Sequence, residues 1–181
     1  MKSHKKEIII IAVLMAALLV IFTGLLTPEA TQTQECSMIY IPKIKDDAND
    51  FWTSLLKGAQ MAANEYDVDL TILAPDSEQD FEAQVRYIDE AIAMNPNAII
   101  LSPSSKSEIT EAANRIVVAG IRLVLIDSEL DQNLQSIVVE TDNVAAGRKM
   151  GEFILTHLPE NPVIGVVSHV KSSSTAQERY Q

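Results

Sequence analysis

Several polar and aromatic side chains stand in or at the end of the loops that follow short apolar runs of the chain, and their types suit reversible recognition of a ligand. They comprise an amide, two aromatic rings, two hydroxyls and a carboxylate: Asn49, Phe51, Trp52, Ser102, Ser104 and Asp127. A carboxylate forms charge-assisted hydrogen bonds, and an amide both donates and accepts. Aromatic rings stack on apolar faces. The combination indicates a ligand that carries hydroxyl groups around its rim and C–H groups on its faces.

Each of these residues also has a structural explanation. Phe51 and Trp52 open an amphipathic helix, so one of the two is expected to pack in the core. Asp127 could cap a turn, but its position at the end of an apolar run favours a role in the site. Ser102 and Ser104 could be loop caps rather than ligand contacts.

Apolar runs alternate with amphipathic stretches from Ser37 onward, which predicts strands alternating with helices. The spacing of Asp76 with Gln79 and of Ser105 with Glu108 predicts two capping boxes at helix starts. Strands that are apolar throughout indicate an α/β fold, with a parallel sheet flanked by helices on both faces. The carboxyl ends of such strands form a ligand crevice, where we expect the recognition residues to meet. The predicted strands are residues 37–41, 70–74, 98–101, 123–126, 136–139 and 163–167.

The N-terminal part of the chain carries an uncharged run over residues 8–26, preceded by Lys2, Lys5 and Lys6. About 20 apolar residues suffice to cross a bilayer as a helix, and a basic flank stays in the cytoplasm. We therefore predict a cytoplasmic flank over 1–7, a transmembrane anchor over 8–26 and a polar linker over 27–36. A cleaved signal peptide is the alternative. Either way, the remainder of the chain is expected outside the cytoplasm.

The charge balance and the missing motifs exclude several classes of function. Residues 1–26 carry three lysines and one glutamate, so the rest of the chain has a net charge of −13, against −11 for the whole. Such an acidic body argues against nucleic-acid binding, which requires lysine and arginine. The sequence has no nucleophile elbow, no phosphate-binding loop and no dinucleotide fingerprint. His157 and His169 have no partner at metal-site spacing, so we expect no enzyme, no metal and no cofactor.

The order of elements and loop residues resembles that of periplasmic sugar-binding proteins of the ribose-binding type. This family shares its fold with the effector domains of lactose-repressor-like regulators. The resemblance runs from about Ser37 to Gln181. The segments that carry it are Asn49-Asp50-Phe51-Trp52 followed by Gly58-Ala59, then Asn97–Pro103, Val124–Asp127, Thr141-Asp142-Asn143 followed by Gly147, and Ser174–Arg179.

The resemblance implies a two-lobe protein that closes on a sugar. Residues 37–141 would form lobe one, and residues 142–181 would begin lobe two, which we expect to be incomplete. Ligand contacts would come from the residues named above, together with Arg179, which matches the family's sugar-contacting arginine. Two positions depart from the family pattern: Asp50 replaces a proline, and Ser128 stands where ribose binders carry an arginine. The second change removes a forked donor and argues against ribose as the ligand.

The resemblance also implies partners. We expect a solute-binding protein that delivers its sugar to the permease of an ABC importer. A membrane-anchored sensing module beside a sensor kinase is the first alternative. A repressor effector domain would need a DNA-binding helix pair and a basic face, where this chain has its apolar run. A membrane-anchored α/β enzyme would need a nucleophile or metal cluster.

Overall fold

The computed structural model of the protein describes residues 13–19, 22, 36–46, 48–159, 162–167 and 170–181. The chain divides into two compact units, residues 1–34 and residues 35–181. In the first unit, residues 13–19 and 22 are helical and exposed. The rest of the anchor predicted over 8–26, the flank over 1–7 and the linker up to residue 35 lie outside the described residues.

Within the part of the chain that the structure describes, no helix combines the length and apolar character needed to cross a membrane.

The second unit contains a five-stranded parallel sheet in the order β2-β1-β3-β4-β5, which confirms the predicted α/β class. In register, Met38 of β1 lies beside Leu70 of β2 and Ala98 of β3. Ala98 in turn lies beside Arg122 of β4. The strands are β1 (Cys36–Ile41), β2 (Val68–Ile72), β3 (Ala98–Leu101), β4 (Arg122–Ile126) and β5 (Ile137–Val139).

Strands β1 and β3 are buried on both faces, as their continuous apolar character predicts. Ile39, Tyr40 and Ile41 are consecutive and all buried. Because successive side chains of a strand point to opposite faces, both sides of β1 must be covered. The core also includes Ile99, Leu101, Leu123 and Leu125 from the sheet and Ile88, Ile109 and Ile116 from the chain between the strands.

The described residues of this unit form five helices, which are α1 (Asp50–Glu65), α2 (Phe81–Ala93), α3 (Thr110–Val118), α4 (Asn143–His157) and α5 (Ser174–Arg179). The N-cap of α2 is Asp80, which accepts a hydrogen bond from the Ala83 amide. The capping box predicted at Asp76 is therefore wrong by one turn. Ser105 does accept from the Glu108 amide, but α3 begins only at Thr110.

The prediction of a sixth strand over residues 163–167 is wrong. These residues form no regular element in the structure, and Val163 and Val167 are fully exposed. An apolar run becomes a strand only when it pairs with another strand, and among the described residues no strand pairs with residues 163–167.

Candidate functional site

The strand order places a crevice between β1 and β3. From β1 the chain crosses to β2 on one side, and later elements continue through β3, β4 and β5 on the other. At such a reversal the following loops diverge and leave a space beyond the carboxyl ends of the strands. A cavity of about 430 Å³ is found in this unit, lined by Lys43, Asn49, Phe51, Trp52, Glu78, Asp127, Met150, Val166, Val167, Thr175, Ala176, Arg179 and Tyr180.

Five of the seven side chains that we predicted from sequence line this one cavity. They are Asn49, Phe51, Trp52, Asp127 and Arg179. They come from the start of α1, the end of β4 and the end of α5, so residues up to 130 positions apart in sequence meet here. A ligand contact for each of them remains a proposal.

Asn49 and the two aromatic rings form the α1 side of the cavity. The Asn49 side chain caps α1 by accepting from the Phe51 amide at 3.0 Å. Trp52 is only 3% exposed, and its indole N–H donates to Glu78 Oε1 at 2.8 Å. Phe51 is 52% exposed and packs edge-to-face against the Trp52 ring, with 4.9 Å between the ring centroids. One of the two rings is therefore packed in the interior, as expected from the sequence: Trp52 is buried, whereas Phe51 is open to the cavity and solvent.

Lys43 is the buried cation of the site. Its side chain is 5% exposed, and Nζ lies 2.7 Å from Asp127 Oδ2. Nζ also donates to Ser128 Oγ at 2.6 Å and to Ser173 Oγ at 3.2 Å. The three N–H donors of the ammonium are thus matched by three acceptors, as a buried charge requires.

Asp127 combines this ion pair with an unusual backbone. Its φ is 72°, in the left-handed region that aspartate tolerates better than most residues. Its amide donates to the Val139 carbonyl of β5, and Oδ2 accepts from the Ser128 hydroxyl at 3.0 Å. The turn after β4 therefore aims the carboxylate at Lys43 and leaves 18% of the side chain exposed.

Arg179 is held at the opposite side of the cavity by α4. Its Nε donates to Asn143 Oδ1 at 2.8 Å. Among the described residues, none accepts from the remaining four N–H donors of the guanidinium. These donors are the forked type that pairs with adjacent oxygens of a ligand.

Ser102 and Ser104 do not line the cavity. Ser102 is buried, and its Oγ lies 3.0 Å from the Tyr40 hydroxyl, whose pKa is raised above its ordinary value by burial. Ser104 is also buried, and its amide donates to Gln84 Oε1. The structure thus buries both serines in the loop that follows β3, and neither of them lines the cavity.

Our sequence-based site omitted Lys43, Glu78 and Tyr180. Lys43 stands two residues past the end of β1, which is the same positional signal that identified Asp127. The burial of Lys43 could not be predicted from this position, because lysine is seldom buried without a partner and the partner, Asp127, is distant in the sequence. Glu78 and Tyr180 carry no comparable signal in the sequence.

Glu140, which follows β5, lies outside the cavity but has a perturbed carboxyl group. Partial burial of the carboxyl, then the charge of Glu129 and a hydrogen bond with it, raise the pKa of Glu140 to about 7. The charge of Glu178 adds to this rise, and the charge of Lys106 opposes it.

This arrangement defines a class of protein. A cavity at the strand reversal of a parallel sheet, lined by rings, carboxylates, an arginine and a lysine, is typical of proteins that bind a small polar ligand. Among the described residues, no group of three or more histidine, cysteine, aspartate or glutamate side chains is placed to hold a metal ion.

The chain belongs to the periplasmic binding protein domain family, whose model matches residues 42–181. Curated relatives include the D-allose-binding periplasmic protein of Escherichia coli, which is 28% identical over 149 residues. That alignment covers 77% of this chain and 48% of the relative. The ribose import binding protein of Bacillus subtilis is 26% identical over 131 residues, covering 72% and 42% respectively.

Comparison with solved structures gives a similar result. A crystal structure of a sugar transporter from Clostridium phytofermentans is 43% identical, with a TM-score of 0.77. It covers 79% of this chain, which in turn spans 53% of that structure. The chain thus spans about half the length of the relatives that it matches. The family resemblance predicted from sequence is confirmed by these comparisons, and the relatives and the structure named here are described as binding or transport proteins rather than enzymes.

Proposed function

We propose that this protein captures a neutral sugar outside the cytoplasm and delivers it to an ABC importer. The observation that carries the proposal is the cavity in which Asn49, Asp127 and Arg179 meet beside two aromatic rings. The relatives named above for D-allose and ribose are periplasmic or import binding proteins, which supports both the ligand class and the location.

The cavity offers two kinds of contact to a sugar. Phe51 presents an exposed ring on which the C–H face of a pyranose or furanose can stack. Asp127 and Arg179 offer acceptors and forked donors that bridge adjacent hydroxyls through charge-assisted hydrogen bonds. Lys43, paired with Asp127, fixes the direction of that carboxylate.

The charges at the cavity favour a neutral ligand. Lys43 and Arg179 are cations, Glu78 and Asp127 are anions, and together they cancel. Among the described lining residues, Arg179 is the cation without a carboxylate partner, so the added negative charge of a sugar acid or sugar phosphate could be compensated only there, while the charges of Glu78 and Asp127 would oppose it. We therefore expect neutral pentoses or hexoses to bind more tightly than their carboxylated or phosphorylated derivatives.

Closure around the ligand is the proposed mechanism. Lys43 belongs to predicted lobe one, whereas Ser173 and Arg179 belong to the segment predicted to begin lobe two. The hydrogen bond from Lys43 Nζ to Ser173 Oγ already joins these parts of the chain. A sugar hydroxyl that takes the place of Ser173 at Lys43, and also meets Arg179, would bind both sides and stabilise the closed form. The importer would then recognise that form.

A thermal-shift screen of neutral pentoses, hexoses and inositols, followed by calorimetry of each hit, tests the proposal. The matching uronic acids and sugar phosphates serve as controls. We expect a saturable, one-site interaction with at least one neutral sugar and weaker binding of its charged derivative. If only charged sugars bind, the charge argument is wrong, and if no sugar binds, the proposed function is wrong.

A membrane-anchored sensing module is a second candidate, favoured by the uncharged run over residues 8–26. Mass spectrometry of the mature N-terminus in membranes and soluble fractions distinguishes the two. Retention of the run in a membrane fraction supports sensing, and its removal supports a released binding protein.

A further inference from the structure

Helix α5 approaches α4 so closely that one position on α4 has no room for a side chain. A Cβ atom added at Gly147 would overlap the carbonyl oxygen of Arg179 and lie 3.0 Å from its carbonyl carbon. Both atoms belong to the backbone, so neither can rotate away as a side chain can. Gly147 is therefore the point at which the backbone of Arg179 rests on α4.

A second contact between the same helices fixes the side chain of Arg179. Asn143 lies one turn before Gly147 on α4 and is only 2% exposed. Its Oδ1 accepts from Arg179 Nε at 2.8 Å, and its Nδ2 donates to Glu178 Oε2 at 3.4 Å. One buried amide thus holds two neighbouring side chains of α5.

Helix α5 depends on such contacts because it has six residues. A helix of that length has little stability of its own in water, so its position is set by packing. Its N-cap residue, Ser173, makes no side-chain capping hydrogen bond. The backbone contact at Gly147 and the hydrogen bond at Asn143 are therefore the restraints that act on Arg179 itself.

We propose that Asn143 and Gly147 are positioning residues that place the guanidinium of Arg179 at the sugar cavity. Gly147 sets how close the Arg179 backbone comes to α4. Asn143 sets the direction of the side chain and leaves its other four N–H donors for the ligand. The inference rests on the proposed function, and it adds two residues of α4 that do not themselves line the cavity.

The chain supplies a matched control for Gly147. Gly151 lies one turn further along α4, and an added Cβ there meets no heavy atom within 4 Å. Alanine at either position gains the same helix propensity. Any difference between Gly147→Ala and Gly151→Ala therefore reports the contact with Arg179 rather than the helix.

The first experiment needs no sugar. Nuclear magnetic resonance follows the Nε–H signal of Arg179, assigned by its loss in Arg179→Lys, and measures its exchange with water. We expect slow exchange in the parent protein and in Gly151→Ala, but faster exchange in Gly147→Ala and Asn143→Ala. Asn143→Asp combined with Glu178→Gln keeps an acceptor for Arg179 Nε without placing two carboxylates side by side, and should restore slow exchange. Equal exchange in all variants would overturn the proposal.

The second experiment connects the positions to binding through a sugar identified in the screen described above. Gly147→Ala should weaken binding roughly tenfold or more, the effect of losing a hydrogen bond to a charged group, while Gly151→Ala should not. In an Arg179→Lys background, Gly147→Ala should have little further effect, because the two changes act on one contact. If Gly147→Ala weakens binding as much in the Arg179→Lys background as in the parent protein, Gly147 has a general structural role that does not act through the Arg179 side chain. That result would also overturn the proposal.

The two experiments separate the possible failures. If no sugar binds the parent protein, the proposed function fails, but the exchange measurement still decides whether α4 positions Arg179. If sugar binds and Gly147→Ala behaves like Gly151→Ala in both measurements, the inference fails and the proposed function stands.

Discussion

The ion pair between Lys43 and Asp127 gives the clearest stability prediction. At 2.7 Å, the attraction is about 6 kcal/mol before desolvation at an effective dielectric constant of about 20. Removing one partner of a buried pair typically costs about 3–5 kcal/mol, because the other charge is left uncompensated. The 18% exposure of Asp127 and the two serine hydroxyls on Lys43 reduce that cost. We therefore expect Asp127→Asn to lower the free energy of unfolding by about 2–3 kcal/mol.

Asp127→Ala should cost more than Asp127→Asn. Alanine loses the same charge and must also adopt a φ of 72°, which costs a residue without a short polar side chain about 1–2 kcal/mol. The expected total is about 3–5 kcal/mol. Lys43→Met combined with Asp127→Asn removes both charges and should lie within about 1 kcal/mol of the parent protein.

Urea unfolding followed by far-ultraviolet circular dichroism measures these differences. The urea midpoints of two variants can be compared only if their unfolding free energies depend on urea concentration with the same slope. Asparagine serves as the matched control for alanine because it tolerates the same backbone. The reasoning is refuted if Asp127→Asn is as stable as the parent protein. It is also refuted if the double variant is as unstable as the two single variants added together.

Three further predictions concern the rings, the acidic group after β5 and the buried serine. Phe51→Ala should weaken sugar binding and leave the urea midpoint nearly unchanged, whereas Trp52→Ala should lower stability by about 3–5 kcal/mol because its ring is buried. The raised pKa of Glu140 means that the folded state holds a proton that the unfolded state has released between about pH 4.5 and 7, so stability should fall as the pH rises through that range. Glu140→Gln should flatten this fall in urea titrations at several pH values, and an unchanged slope would contradict the assignment. Ser102→Ala should lower stability by about 1–3 kcal/mol without changing sugar affinity, and a loss of affinity in calorimetry would place that hydroxyl in the site.

The sequence predicted the sheet because its signal is local and strong. Continuous apolar runs are typical of parallel strands covered on both faces, and the burial of β1 and β3 agrees. The strand predicted over residues 163–167 failed because a run of the right composition still requires a neighbouring strand. The start of α2 was displaced by one turn because Asp76 and Asp80 both have the character of an N-cap residue, and packing decides between them.

The site could be predicted only in part, for a related reason. Asp127 could be found from its position directly after β4, and Asn49 from its position at the end of the loop that follows β1. The burial of Lys43 depends on a carboxylate 84 residues away, which no local pattern shows. The close approach of Gly147 to Arg179 likewise depends on how two helices pack. Contacts of this kind determine which side chains can act together, and they appear only in the folded chain.

The most direct test of the central claim is a sugar titration followed at both sides of the cavity at once. Trp52 is the single tryptophan of the chain, so its indole N–H gives one assignable signal, and the Nε–H of Arg179 gives another. If the cavity binds a neutral sugar as proposed, both signals shift during one titration and yield the same dissociation constant. A sugar that binds while both signals stay unchanged would show that the ligand sits elsewhere and would contradict the account.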